Sequence, residues 1–256
     1  MMVRRYGPRT LILFTVVTVT GASVASVSSS GSSLRGTSQQ VKSMPDRLAQ
    51  MQHHFAQVGL VHEAVIRGDL PGVRDPAKRL ADLEQPPNVA PASAQYVLAI
   101  RTAAKRAVDA RDLASAASAT ASMVLSCGDC HRVSGTMPVP ATPKRADVGG
   151  LVGHMLEHQR AVDEMLEGLF IPSESQWIRG ATRFRAAPLQ RQSLPRDRKL
   201  TREILLAEER VHQLADRAIK AGGWSDRGEI YAEVLSTCAN CHSLHKVWGP
   251  RRSPAR

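Results

Sequence analysis

The chain has few aromatic residues, few cysteines and fewer acidic than basic residues. Phe, Trp and Tyr together make up 4% of its 256 residues, and alternation of β-branched with polar residues is scarce beyond the first segment. Ala and Leu are abundant instead, which favours an all-α fold. Lys and Arg outnumber Asp and Glu by 34 to 23, giving a net charge of +11. Such a surface favours acidic partner proteins or an anionic membrane surface.

All four cysteines belong to two copies of one motif, Cys-x-x-Cys-His, at residues 127–131 and 238–242. This is the attachment signature of a c-type haem. On a helical turn, thiols at positions i and i+3 lie on one side and reach the two vinyl groups, and the next histidine lies under the iron. The motifs predict two covalently bound haem c groups. The predicted attachment residues are Cys127, Cys130, Cys238 and Cys241, and the predicted proximal iron ligands are His131 and His242.

Two other kinds of site use Cys-x-x-Cys pairs. Two pairs can share one tetrahedral zinc ion, and a single pair can be a thioredoxin-like redox couple. Zinc does not require a histidine directly after each second cysteine, and a redox couple does not require two copies. The sequence therefore favours haem, and no cysteine is left over for a disulfide framework.

The amino terminus predicts export. Arg4, Arg5 and Arg9 precede an apolar run and a small-residue cleavage site, so residues 1–25 are predicted to be a signal peptide. An uncleaved membrane anchor is the alternative, although the run is short for a span. Cleavage would lower the net charge from +11 to +8. The predicted location is the periplasm, which makes nucleic acid an improbable partner of this basic chain.

The chain contains an internal repeat. A stripe of residues at helical spacing recurs 104 residues later with the same Met-x-x-His pair, and the haem motifs are 111 residues apart. The second copy therefore carries seven extra residues. The first stripe is Met51, His54, Val58, Val61 and Val65, and the second is Met155, His158, Val162, Met165 and Leu169.

The repeat and the turn signals predict two tandem four-helix-bundle-like haem domains. Helices are expected at about 45–68, 73–83, 93–110 and 113–125 in the first half, and at 148–169, 173–187, 197–221 and from about 225 in the second. The predicted organisation is a signal peptide at 1–25, a flexible tether at 26–42, a first haem domain at 43–134, a linker at 135–146, a second haem domain at 147–250 and a basic tail at 251–256.

The second axial ligand of each iron is predicted from the same stripes. A methionine facing the core needs no special role, whereas a buried histidine needs partners for its ring nitrogens. His54 and His158 are therefore the predicted distal ligands, with Met51 and Met155 as alternatives. Two histidines would lower the reduction potential, and a methionine would raise it. The histidines expected to be solvated or structural are His53, His62, His154 and His212.

Four helices with a haem motif on the last one resemble the cytochrome c′ family and its six-coordinate, low-spin relatives. Arg47-x-x-x-Met51 is similar to that family's first-helix pattern, whose methionine position lies over the distal haem face. The two-domain arrangement resembles exported di-haem cytochromes built as tandem helical bundles. This chain departs from the family in its shorter halves, its duplication and Leu151 at the repeat position of Arg47.

The resemblance implies electron transfer, without an enzymatic reaction. Each iron would change oxidation state by outer-sphere transfer while both axial ligands stay bound. The alternatives are a protein that binds nitric oxide or carbon monoxide at an open iron, as cytochrome c′ does, and a di-haem peroxidase. A peroxidase needs acid/base residues beside the iron. Glu157 and Glu164 flank the second stripe, where glutamates at helical spacing favour a solvated face.

Overall fold

The computed structural model describes residues 35–83, 91–138, 148–186, 189 and 201–245, and the side chains of α1 from residue 48 onward. These residues contain eight α-helices and no strand, which confirms the all-α prediction. The helices are α1 (Arg35–Ile66), α2 (Leu70–Ala81), α3 (Pro91–Val108), α4 (Leu113–Ser134), α5 (Gly150–Phe170), α6 (Glu174–Ala186), α7 (Arg202–Lys220) and α8 (Trp224–His245). No described helix is both long and apolar enough to cross a bilayer.

The chain divides into two compact units, Met1–Asp46 and Arg47–Arg256. Both haem motifs belong to the second unit. Its division into separate first and second haem domains stays a prediction. The predicted signal peptide at 1–25, most of the linker at 135–146 and the tail at 251–256 lie outside the described residues.

The helix bounds repeat with the two offsets found in the sequence. The ends of α1 and α5, and the starts of α2 and α6, are 104 residues apart. The starts of α3 and α7, and those of α4 and α8, are 111 residues apart. The seven extra residues of the second copy therefore lie between the start of α6 and the start of α7.

Two helices begin three or more residues earlier than predicted. Helix α2 starts at Leu70, because the Asp69 carboxylate accepts a hydrogen bond from the Gly72 N–H at 3.0 Å and proline occupies the first turn. Helix α1 starts at Arg35, so residues 35–42 of the predicted tether are helical. The glutamines and the lysine at the start of α1 are good helix formers. The tether prediction followed instead from the many Ser and Gly residues that precede them.

Helix α4 continues through the first haem motif and ends at Gly135. This glycine has a φ of +67° and its N–H donates to the His131 carbonyl, which is the usual left-handed cap of a helix. The predicted end near residue 125 preceded the motif. In the structure both copies of the motif are helical to their histidines and beyond.

The motif helices lie at the centre of the unit. Helix α4 packs against α3, α5 and α8, and α5 packs against α6 and also touches α8. The inner side of α4 is built from small residues, which allow close approach of neighbouring helices. Its buried alanines are Ala116, Ala117, Ala119 and Ala121.

The second half contains larger buried side chains. Trp177, Phe184 and Tyr231 are almost fully buried. The Trp177 indole N–H donates to the Ala218 carbonyl at 2.8 Å and so ties α6 to α7. The polar atom of this large side chain is therefore satisfied inside the core.

Gly180 sets the contact between α5 and α6, and its replacement tests that packing. A Cβ at this position would lie 2.7 Å from both the Ala161 carbonyl oxygen and Met165 Cγ. We expect Gly180→Ala to lower the free energy of unfolding, because overpacking costs about 1–3 kcal/mol and outweighs a helix-propensity gain of about 0.5–1 kcal/mol. Chemical denaturation measures the change.

Gly59→Ala is the matched control for this substitution. Gly59 is also inside a helix, but a Cβ there would meet nothing within 4 Å. The control is expected to raise the free energy of unfolding by about 0.5–1 kcal/mol. Equal effects of the two substitutions would contradict the close approach of α5 and α6.

Candidate haem sites

The pKa of each of the four motif thiols is raised above its usual value, chiefly by burial. Burial, and then the neighbouring Cys130 thiol, raise the pKa of Cys127 to about 12. Burial and the neighbouring Cys241 raise the pKa of Cys238 to about 12 in the same way. A redox-active pair requires a thiol whose pKa is lowered. The environment of both pairs therefore argues against a thioredoxin-like couple.

The four thiols do not converge on a common point. Zinc bonds of about 2.0–2.3 Å require the donor atoms to lie within about 4 Å of one another. Within the described part of the chain, one set of at least three His, Cys, Asp or Glu donors lies within 4.8 Å, and it contains no cysteine. This distribution argues against the shared zinc site.

Each motif histidine is held by a backbone carbonyl at the end of another helix. His131 Nδ1 lies 2.8 Å from the Phe170 carbonyl oxygen, and His242 Nδ1 lies 2.6 Å from that of Ile66. Because a carbonyl only accepts hydrogen bonds, Nδ1 carries the proton in both rings. Nε2 then keeps its lone pair, as a metal-binding imidazole requires. The donor set of both motifs therefore fits a haem iron.

These two hydrogen bonds cross between the halves of the chain. His131 is on α4 of the first half and bonds to the end of α5 in the second. His242 is on α8 of the second half and bonds to the end of α1 in the first. The two histidines are separated by the 111-residue offset and their partners by the 104-residue offset. The arrangement is thus repeated by the internal duplication.

Close backbone contacts accompany both crossed hydrogen bonds. A Cβ at Gly128 would lie 2.1 Å from the Leu169 carbonyl oxygen. The backbone of α5 therefore approaches the first motif at its glycine, where no side chain intervenes. At the other site, Gly68 has a φ of +70° and a Cβ there would lie 2.8 Å from the Ala239 carbonyl oxygen. Glycine is therefore required on opposite sides of the two equivalent contacts.

Aromatic packing supports the first proximal histidine. The Phe170 ring meets the His131 ring edge-on at a centroid distance of 4.6 Å. The Phe170 ring also contacts the ring of Phe55 on α1, at a centroid distance of 4.5 Å. Together these rings restrict the rotation of the His131 imidazole.

The predicted distal residues differ in their exposure. His54 is half-buried, and burial followed by the neighbouring charge of His53 lowers its pKa. Met51 on the same helix is 44% exposed. In the second half, His158 is buried and Met155 is half-buried. The rest of both stripes is buried as predicted.

Sequence reasoning missed a cluster of polar residues beside the second motif. His154 and His158 on α5 face Glu208 on α7, and His212 approaches the same carboxylate. Burial raises the pKa of Glu208, but the hydrogen bond from His154 and the charges of His158 and His154 outweigh it, so the pKa is lowered. The charge of Glu208 also adds to the effect of burial in raising the pKa of Cys241. The spacing of His154 and His158, and of Glu208 and His212, at i and i+4 was the available signal.

His62 joins the two halves of the chain through Tyr231. Its Nε2 lies 2.7 Å from the Tyr231 hydroxyl, with both side chains buried and their ring planes nearly parallel, 6° apart. Burial lowers the pKa of His62 to about 4 and raises that of Tyr231. Both groups are therefore neutral, and the tyrosine hydroxyl donates to the imidazole.

This histidine predicts a pH dependence of stability. Its pKa is about 4 when folded, against an ordinary histidine pKa of 6.5, so the unfolded chain binds more protons between these values. The stabilisation is present above pH 6.5 and is lost as the pH falls toward 4, with a slope of up to about 1.4 kcal/mol per pH unit. Chemical denaturation across this range measures it. His62→Gln should reduce the slope, and an unchanged slope would contradict the assignment.

Comparison of the chain with protein-family models, with curated proteins and with solved structures gives no match. The resemblance to the cytochrome c′ family therefore depends on the motif residues and the helical pattern alone.

Proposed function

We propose that the protein is an exported di-haem cytochrome c that carries electrons through two covalently attached haems. The observation that carries this proposal is the crossed pair of histidine hydrogen bonds. Each Cys-x-x-Cys-His histidine directs Nδ1–H to a carbonyl, which leaves Nε2 available as an iron ligand. Two equivalent arrangements in one unit support two haem sites rather than one.

In this proposal each half supplies two thiols and one histidine to its haem. A backbone carbonyl of the other half orients that histidine. Cys127 and Cys130 hold the first haem by thioether bonds, and His131 is its proximal ligand. Cys238, Cys241 and His242 have the same roles for the second. When bound, each haem supplies an iron that alternates between the ferric and ferrous states.

The proposed partners are acidic redox proteins. The net charge is +8 without the predicted signal peptide, and a positive surface accelerates encounter with a negative one. An anionic membrane surface is the second proposed contact. The periplasmic location is proposed with the signal peptide.

The electron-carrier proposal assigns no catalysed reaction. A peroxidase would use the carboxylates of Glu157 and Glu164 as acid/base groups, but both form ion pairs. Glu164 pairs with Arg183 at 3.0 Å. Glu157 pairs with Arg183 at 3.1 Å and also with Arg160. The two ion pairs of Arg183 link α6 to α5 at a partly exposed face, and the pair with Arg160 lies within α5. They favour a structural role for both glutamates over acid/base chemistry.

Mass spectrometry of the mature protein tests haem attachment. We expect the mass of the polypeptide plus two haem groups when the chain is exported from a host that matures c-type cytochromes. A Cys127→Ala, Cys130→Ala double variant should carry one haem, because the second motif remains complete. The matched control is the Cys238→Ala, Cys241→Ala double variant, which should also carry one.

The bare polypeptide mass for the unsubstituted chain would refute the proposal. Addition of carbon monoxide to the reduced protein separates the carrier from a gas-binding protein. A six-coordinate carrier should show little spectral change, whereas an open iron should bind the gas.

Electron paramagnetic resonance of the oxidised protein tests the distal ligand of the first haem. His54 is the proposed ligand and its greater burial than Met51 supports it. His54→Ala should convert one low-spin ferric signal to high-spin, and Met51→Ala should leave it unchanged. The reverse pattern would identify the methionine instead. The two candidate distal ligands of the second haem are His158 and Met155.

A further inference from the structure

Two helical pairs of polar residues face each other across α5 and α7. His154 and His158 are four residues apart on α5, and Glu208 and His212 are four apart on α7. Glu208 Oε1 lies 3.1 Å from His154 Nε2, 3.7 Å from His158 Nε2 and 3.4 Å from His212 Nε2. Three imidazoles therefore approach a single carboxylate oxygen.

Three of these residues already have the spacing of a metal site. Donor atoms of His154, His158 and Glu208 all lie within 4.8 Å of one another. Bonds of about 2.0–2.2 Å to a tetrahedral ion would place such donors about 3–4 Å apart. Small side-chain rotations would close the set. Two imidazoles and a carboxylate suit zinc and neighbouring divalent transition metals, whereas calcium and magnesium prefer oxygen alone.

The surrounding residues fix the orientation of these donors. The backbone N–H of Leu189 donates to Glu208 Oε1 at 2.9 Å. The Phe184 ring lies 5.0 Å from the His158 ring and limits its movement. The side chains of His154, His158 and Glu208 are 6%, 11% and 15% exposed, so the site is shielded from most of the solvent. Supporting contacts of this kind are typical of metal centres.

The duplication does not explain the cluster. The corresponding first-half positions of His154, His158, Glu208 and His212 are occupied by Gln50, His54, Val97 and Arg101. Only one of the four positions keeps a histidine. Three polar donors thus converge in the second half, where the first half has an amide, an aliphatic residue and a guanidinium.

We propose that His154, His158 and Glu208 form a binding site for one divalent transition-metal ion of the zinc class. His212 positions the Glu208 carboxylate, and water completes the coordination. This site goes beyond electron transfer by the haems. It takes His158 from the second haem and leaves Met155 as the distal ligand there.

Zinc titration of the exported, haem-loaded protein tests the site. After treatment with a chelator, isothermal titration calorimetry with Zn²⁺ should give one ion bound per chain. His154→Ala and Glu208→Gln should each weaken binding at least about tenfold, because each removes one ligand. His53→Ala is the matched control: it removes an exposed histidine from α1, and its Zn²⁺ affinity should equal that of the unsubstituted chain.

Three results would overturn the proposal. Two come from the titration: the absence of stoichiometric Zn²⁺ binding by the unsubstituted protein, and equal affinity in the three variants. The third is spectroscopic. Electron paramagnetic resonance with and without Zn²⁺ should show unchanged low-spin signals. Loss of a low-spin signal on Zn²⁺ addition would mean that His158 ligates iron and would overturn its assignment here. Haem content is measured separately by mass, so failure of the zinc site is distinguishable from failure of haem attachment.

Discussion

The hydrogen bond from each motif histidine to a helix-terminal carbonyl is the constraint on which the rest of the structure depends. The last carbonyls of a helix have no partner within it, and the Nδ1–H of an imidazole needs one when buried. At Ile66 and Phe170 these two needs are met together. The end of each first helix must therefore reach the opposite motif helix, which explains the close approaches at Gly68 and Gly128.

Much of the helical architecture could be predicted from the sequence. The apolar stripes located α1 and α5 because a 3.6-residue period survives in any buried helix face. The seven-residue difference between the two offsets predicted an insertion in the second copy, and the structure puts it between the starts of α6 and α7. Helix α2 begins three residues before its predicted start because the Asp69 carboxylate caps it.

The crossing of the halves could not be predicted in this way. The acceptors are backbone carbonyls, which every residue has, so Ile66 and Phe170 leave no chemical signal in the sequence. The cluster around Glu208 was not predicted, for a different reason. Its residues come from two helices about 50 positions apart, and no single helical period unites His154 with Glu208. Their convergence depends on how α5 and α7 each pack against α6 and α8, which is a tertiary property.

The crossed arrangement has the symmetry of a dimer. Two identical copies of one four-helix unit, each presenting its motif histidine to the first helix of its neighbour, would make the same pair of contacts around a two-fold axis. Covalent fusion of such copies frees each from the identity that a homodimer imposes. A substitution then alters one side only, as at Val97 and Glu208, so that equivalent faces of a single folded body can carry chemically different side chains.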